Sequence, residues 1–247
     1  MKQTKRKLQW IWIAALYLVI WGGASLLVGK ELLLPSPWAT IGRFFELLGQ
    51  AESWMLAGRT LARIMSGYLL GILAGVLAAI LCAKVPFAND LLAPLKSIIK
   101  ATPVTSFILL ALLWLSSDLV PVFISFLMVL PVVWASTLEA LLQIDPQLME
   151  MARVYRLDWW KKMRSIQIPS VLPQTLAACT TALGFAWKAG VAAEIIALPR
   201  HSIGYQLYQS KLRIETVDLF AWTLLVILLS MLLEKVLVWI LRRIRHD

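Results

Sequence analysis

The sequence predicts an all-α, polytopic membrane protein with about six transmembrane helices, and two observations carry that prediction. Of its 247 residues, 60% are hydrophobic and 15% are charged, whereas a soluble domain holds about half apolar and about a quarter charged residues. Several apolar runs also reach the roughly 20 residues that a helix needs to cross the hydrocarbon layer. The whole chain, 1–247, reads as one transmembrane domain with its core at 55–245 and a polar loop at 143–174.

The spans follow in order. The first, Leu8–Val28, comes after the basic start MKQTKRK. It is long and no small-x-small cleavage site follows it cleanly, so it reads as an uncleaved span rather than a signal peptide. Leu34-Pro35-Ser36-Pro37 then opens an outer segment, in which Trp38 to Leu48 is expected to form a short helix on the outer face. The second span, Leu61–Ala83, carries Gly67, Gly71 and Gly75. A spacing of four puts them on one face, where another helix can approach closely. The third, Leu92–Leu115, contains Thr102, Pro103 and Thr105. Proline frees a backbone carbonyl, which a kink or a polar cavity tolerates, so Thr102 and Pro103 are candidates for lining a pathway. Only Ser116, Ser117 and Asp118 separate it from the fourth span, Leu119–Leu141, which implies a tight hairpin. The fifth is Thr175–Leu198 and the sixth Leu219–Leu241. Trp10, Trp12, Trp21, Trp38, Trp54 and Trp239 fall near span ends, as interfacial tryptophans do.

Basic residues orient the bundle. With the N-terminus in the cytoplasm, the inner segments hold Lys2, Lys5, Arg6, Lys7, Lys84, the five basic residues of the loop, Arg242, Arg243 and Arg245. The outer segments hold Lys30, Arg43, Arg59, Arg200, Lys211 and Arg213. That bias of roughly two to one places both termini and the loop inside. The formal net charge of +10 is thereby explained by inner loops, and no base-stacking module argues for a nucleic-acid partner. Cys82 and Cys179 lie in apolar runs and read as small buried hydrophobes. With His201 and His246 as its two histidines, the chain is not expected to bind a metal.

The loop from Gln143 to Gln174 is the one long polar island. It carries Arg153, Arg156, Lys161, Lys162 and Arg164, with Glu150 and Asp158 among them. Asp145 is placed to cap a helix that begins at Pro146. From there Leu148, Met151 or Ala152, and Tyr155 recur at spacings of three and four and form an apolar stripe. Asp158 is placed to cap a second short helix, with Trp159, Trp160 and Met163 on its apolar face. Two short amphipathic helices result. On physical grounds alone they suit a lipid surface or a groove on a soluble partner equally well.

The island resembles the cytoplasmic loop motif of the inner-membrane permease subunits of ABC importers. That motif is Glu-Ala-Ala, three residues, Gly, nine residues, then Ile-x-Leu-Pro. This chain has Glu150-Met151-Ala152, Arg153 to Tyr155, Arg156, nine residues, then Ile166-Gln167-Ile168-Pro169. The spacing matches throughout; Met151, Ile168 and, above all, Arg156 depart from it. The family glycine takes a left-handed turn, which costs a non-glycine residue about 1 kcal/mol. Leu34-Pro35-Ser36-Pro37, Thr60-Leu61-Ala62-Arg63, Pro94-Leu95, Thr102-Pro103, Ala186-Trp187 with Glu194, and Ile203-Gly204 extend the resemblance to the nitrate, sulfonate and taurine class.

The resemblance implies a type I importer permease fold in a bacterial or archaeal cell membrane. It also implies a coupling role for Glu150, Met151, Ala152, Tyr155, Arg156, Trp159, Ile166 and Pro169. Implied partners are cytoplasmic ABC ATPase subunits, a second permease copy, an extracytoplasmic solute-binding protein and the bilayer. The chain contains no GxxxxGK[ST] phosphate loop, so it is read as no enzyme, with no cofactor of its own. ATP and magnesium belong to the ATPase. Lys188, near the middle of the fifth span, and Glu194, toward its outer end, are further pathway candidates, since charges at membrane depth face a polar cavity or a partner. Six positions apart, they are no same-face pair. The rival classes are an ion-coupled secondary transporter and a multipass enzyme. The spans lack the paired carboxylates, or serine with histidine, that the enzyme would need.

Overall fold

A computed structural model describes the backbone of residues 2–246 and the side chains outside 1–11, 14, 242 and 244–247. The side chains of Lys2, Lys5, Arg6, Lys7, Trp10, Arg242 and Arg245, used above to orient the bundle, lie outside the described residues. Among the described residues eleven helices follow one another: α1 (Lys2–Val28), α2 (Pro37–Gly49), α3 (Ala51–Lys84), α4 (Pro86–Ala101), α5 (Val104–Ala111), α6 (Val120–Leu142), α7 (Pro146–Val154), α8 (Trp159–Lys162), α9 (Ile168–Ala197), α10 (Ile203–Leu212) and α11 (Thr216–His246). A π-helical turn, Met163–Gln167, joins α8 to α9. Among the described residues, four helical stretches are long and apolar enough to cross a bilayer: α3, α6, the joined Trp159–Ala197, and Thr216–Leu241.

α3, α6 and α9 form the centre. Ile64, Tyr68, Val129, Val133, Ala182, Ala186 and Trp187 bury one another there. The glycine face of α3 lies directly on α6. A Cβ on Gly67 would stand 2.1 Å from the Val122 carbonyl oxygen, one on Gly71 2.7 Å from Val129 Cβ, and one on Gly75 3.0 Å from the Leu130 carbonyl oxygen. Backbone-to-backbone approach of this kind maximises dispersion contact where lipid supplies no hydrophobic drive. Two hydroxyls inside the trio are paired: Tyr68 Oη donates to the Cys179 carbonyl at 3.0 Å, and Ser125 Oγ to that of Ala186 at 3.3 Å, whereas the buried indole N–H groups of Trp134 and Trp187 find no acceptor among the described residues.

The third expected span is not one helix. It divides into α4 and α5 at Thr102–Pro103. Proline has no N–H to give, and it pushes the residue before it out of the helical region. Thr102 is accordingly extended (φ −79°, ψ 131°). α4 also carries Asp90, Lys96 and Lys100, and Lys96 Nζ sits 5.2 Å from the centre of the Trp134 ring. Periodicity in an apolar run could not reveal the break; the proline marked its place but not that the helix ends there.

The outer segment forms as expected. Ser36 caps α2 by accepting from the Ala39 N–H at 3.3 Å, with Pro37 in the first turn. α2 is tied to α11 by Arg43, whose Nε and Nη2 donate to the two oxygens of Asp218 at 2.7 and 3.0 Å. Hydrogen bonds to Asp218 and then to Glu46 hold this guanidinium above its already high range. α1 lies at the edge, where Trp21 stacks on Phe220 at 5.9 Å.

Candidate coupling surface and pathway

Asp145 caps α7 as the sequence required, accepting from the Gln147 N–H at 2.8 Å. The helix has two apolar sides. Ala152 is buried and Met149 is half-buried against the bundle, while Leu148, Met151, Val154 and Tyr155 point outward. Val154 and Tyr155 are 79% and 73% exposed. The stripe read from the sequence therefore splits at its open position: Met151 faces out and Ala152 faces in. Val154 was missed, although it lies three residues beyond Met151. Glu150 is exposed beside this face.

The turn after α7 is left-handed at Arg156, the conformation that the resemblance implied for a glycine at this position. Arg156 has φ +47°. Its N–H reaches the Arg153 carbonyl at 3.0 Å, and the Leu157 N–H reaches that of Ala152 at 2.9 Å. Those two bonds define a Schellman ending, which satisfies carbonyls that a helix end otherwise leaves free. The hydrogen bonds and the buried Ala152 hold Arg156 in a left-handed conformation that an arginine does not prefer.

The second short helix is not separate. α8, the π turn and α9 run on as one helix from Trp159 to Ala197. The physical reason is Pro169: with no N–H, it cannot bond to Ser165, and its ring would crowd that carbonyl. A wider π turn placed just before it absorbs the misfit, as such turns do at functional sites. Ile166 is buried and anchors the turn, whereas Pro169 is exposed. Trp159 and Trp160 are 60% and 67% exposed and stack with centres 5.4 Å apart.

The four pathway candidates separate. Lys188 is exposed on α9 in line with Thr181 and Gly184, and no ion pair found among the described residues includes it. Thr102 is half-buried and Pro103 exposed at the break before α5. Glu194, by contrast, is fully buried. Its Oε2 accepts from Thr60 Oγ1 at 2.9 Å and from the Gly204 N–H at 3.2 Å, and its Oε1 from Arg63 Nη1 at 3.4 Å. Every one of these partners lies inside the fold, in contrast to the exposed Lys188.

Glu194 instead caps α10. The first three N–H groups of that helix each find a side chain. Ile203 donates to Thr60 Oγ1 at 3.0 Å, Gly204 to Glu194, and Tyr205 to Ser202 Oγ at 3.0 Å. Such amides carry partial positive charge and favour a carboxylate. Gly204 is needed because a Cβ there would stand 2.3 Å from Glu194 Cβ. Arg63 extends the knot by donating to Asp118 in the α5–α6 hairpin and to the Arg200 carbonyl at 3.3 Å. Asp118 is thus a loop carboxylate paired with Arg63. Nothing in the spacing of Thr60, Arg63 and Glu194 announces that they meet.

Long apolar helices packed through a glycine face and interrupted by one amphipathic island define a multi-pass helical membrane protein. The chain belongs to the family of binding-protein-dependent transport system inner membrane components, whose model matches residues 71–246; it is an ABC transporter permease of a multi-pass membrane type. It is 34% identical over 188 residues to the riboflavin transport system permease protein of Chloroflexus aurantiacus, covering 74% of this chain and 69% of that one. It is 23% identical over 251 residues to the taurine transport system permease protein of Escherichia coli, covering 94% and 91%. In fold it is similar to an amino acid ABC transporter crystallised with histidines, with a TM-score of 0.59 and 16% identity over 83% of this chain and 96% of that one.

Proposed function

We propose that this chain is the membrane-spanning subunit of an ATP-driven importer for a small anionic or polar solute, with both termini and the island in the cytoplasm. The observation that carries the proposal is the outward face of α7. Leu148, Met151, Val154 and Tyr155 offer apolar anchors at helical spacing, flanked by Glu150 and Arg156 and followed by the Trp159–Trp160 stack. A short helix of this kind docks into a groove on a partner, and the partner proposed is a cytoplasmic ABC ATPase that holds the ATP and magnesium. Ala152 and Ile166 anchor the same element to the bundle from within. Because α8 continues into α9, a push on the island is delivered straight to the helix that carries Lys188.

Two copies of the chain would enclose the pathway, fed by an extracytoplasmic solute-binding protein. Lys188 supplies positive charge at membrane depth, which suits an anion. The break at Thr102–Pro103 exposes backbone of the kind that membrane proteins keep for cavities. Taurine, for which one relative is named, carries a sulfonate anion and fits that chemistry.

The test is reconstitution with the ATPase subunit. A Val154→Asp, Tyr155→Ala variant is expected to lose co-purification with the ATPase by at least about tenfold, since buried aromatic anchors carry roughly 2 kcal/mol or more at interfaces. Undiminished ATPase binding and transport in that variant would remove the coupling role. Lys188→Ala is expected to weaken solute-stimulated ATP hydrolysis while leaving the complex intact; no change there drops Lys188 from the pathway.

A further inference from the structure

A cleft of about 630 Å³ opens behind the island, between the ends of α3 and α6, the inner side of α7 and the start of the α8–α9 helix. Its lining is graded. At the mouth stand Lys84, the last residue of α3, and Lys162, the last residue of α8, beside Trp159. Deeper in, Val76, Ile80 and Leu172 make a largely apolar wall, interrupted by Thr137 and Thr175, whose hydroxyls bond to each other at 3.1 Å. Val76 lies eight residues before Lys84, so the wall runs about 12 Å along α3 from the charged mouth. No Asp or Glu lines the cleft, and no ion pair found among the described residues involves Lys84 or Lys162. The occupant that this grading fits is therefore an anion at one end and hydrocarbon at the other.

We infer that this cleft holds one anionic phospholipid of the island-side leaflet, its phosphate between Lys84 and Lys162 and part of an acyl chain along Val76 and Ile80. Basic pockets between helix ends at a membrane face recognise such headgroups, and the exposed Trp159 sits where an interfacial tryptophan belongs. The lipid would touch Met149, on the bundle side of α7. It would thus brace from behind the helix whose outer face is proposed to meet the ATPase. Calling the leaflet cytoplasmic rests on the orientation proposed above; the binding itself does not.

The experiment is lipid retention. The full-length chain is placed in nanodiscs of equal parts phosphatidylglycerol and phosphatidylcholine, extracted in mild detergent, and its retained lipids are identified by native mass spectrometry. Two lysines are expected to enrich phosphatidylglycerol on the order of tenfold over phosphatidylcholine. The Lys84→Gln, Lys162→Gln double variant is expected to retain both lipids equally. Lys161→Gln, an exposed neighbour that does not line the cleft, is expected to keep the enrichment. Enrichment that survives the double variant overturns the site. So does loss of enrichment with Lys161→Gln, which would indicate a diffuse basic surface. So does disulfide cross-linking between cysteines placed at Leu142 in two copies of the chain at full yield without loss of enrichment, which would show a second copy covering the cleft. Both lysines are at the rim, and a circular-dichroism melt confirms that each variant is folded. None of these readouts depends on transport, so coupling and lipid binding fail separately.

Discussion

The end of the bundle around Glu194 and the island treat polar residues in opposite ways. At the first, Glu194 is fully buried and every bond it makes is internal: to Thr60, to Arg63 and to the first turn of α10. At the island, Glu150, Tyr155, Arg156 and the two tryptophans stand exposed. A buried charge whose partners are all internal is strongly destabilising when one partner is removed, so it ties those elements together. An exposed aromatic patch in a polar loop is the reverse: it adds nothing to the fold and asks for a partner. Glu194, a pathway candidate from the sequence, is bonded within the fold, and the apolar residues of the loop are left open to a partner.

The difference can be broken first at Glu194. Glu194→Ala leaves Arg63, Thr60 and the Gly204 N–H without their acceptor in a closed site, and is expected to cost about 3–5 kcal/mol. Thermal unfolding in detergent should show it as a large fall in melting temperature or as failure to accumulate. A small fall would mean that water reaches the knot. Next comes Gly67→Ala, whose methyl has nowhere to go beside the Val122 carbonyl. It should force α3 from α6 at about 1–3 kcal/mol, read by the same melt and by weakened cross-linking between cysteines placed on the two helices.

Arg156→Gly works in the other direction. It removes the left-handed strain at φ +47° and should stabilise the turn by up to about 1 kcal/mol, seen as slower hydrogen exchange at the Leu157 amide. Exchange that quickens instead would show that the arginine side chain, not the backbone, holds the turn. The smallest effect belongs to Tyr155→Ala. Because the side chain is 73% exposed, the melt should move within about 0.5 kcal/mol, even as ATPase binding falls. A Tyr155→Ala protein that unfolds early would erase the contrast between the two regions.

Much of the fold was legible in the chain because the cues are local. Apolar length marked the spans, a spacing of four marked the glycine face, and Asp145-Pro146 and Ser36-Pro37 marked two helix starts. Pro103 was visible as a disturbance, but not that it cuts the third span in two. Likewise Pro169 was visible, but not that a π turn would let α8 run on into the membrane. In both cases, whether a helix bends, breaks or widens at proline depends on what neighbouring helices supply to the freed carbonyls.

By itself the sequence determined that this is a helical membrane protein with one amphipathic island, because hydrophobic length and side-chain periodicity are properties of a segment alone. Only the tertiary structure decided which polar residues turn inward. Thr60, Arg63, Asp118, Glu194 and Gly204 come from four separate parts of the chain, and their meeting is set by how α3, α9 and α10 pack. It likewise decided that Met151 faces out and Ala152 in, since the side of α7 that is buried depends on where the bundle lies and not on the helix.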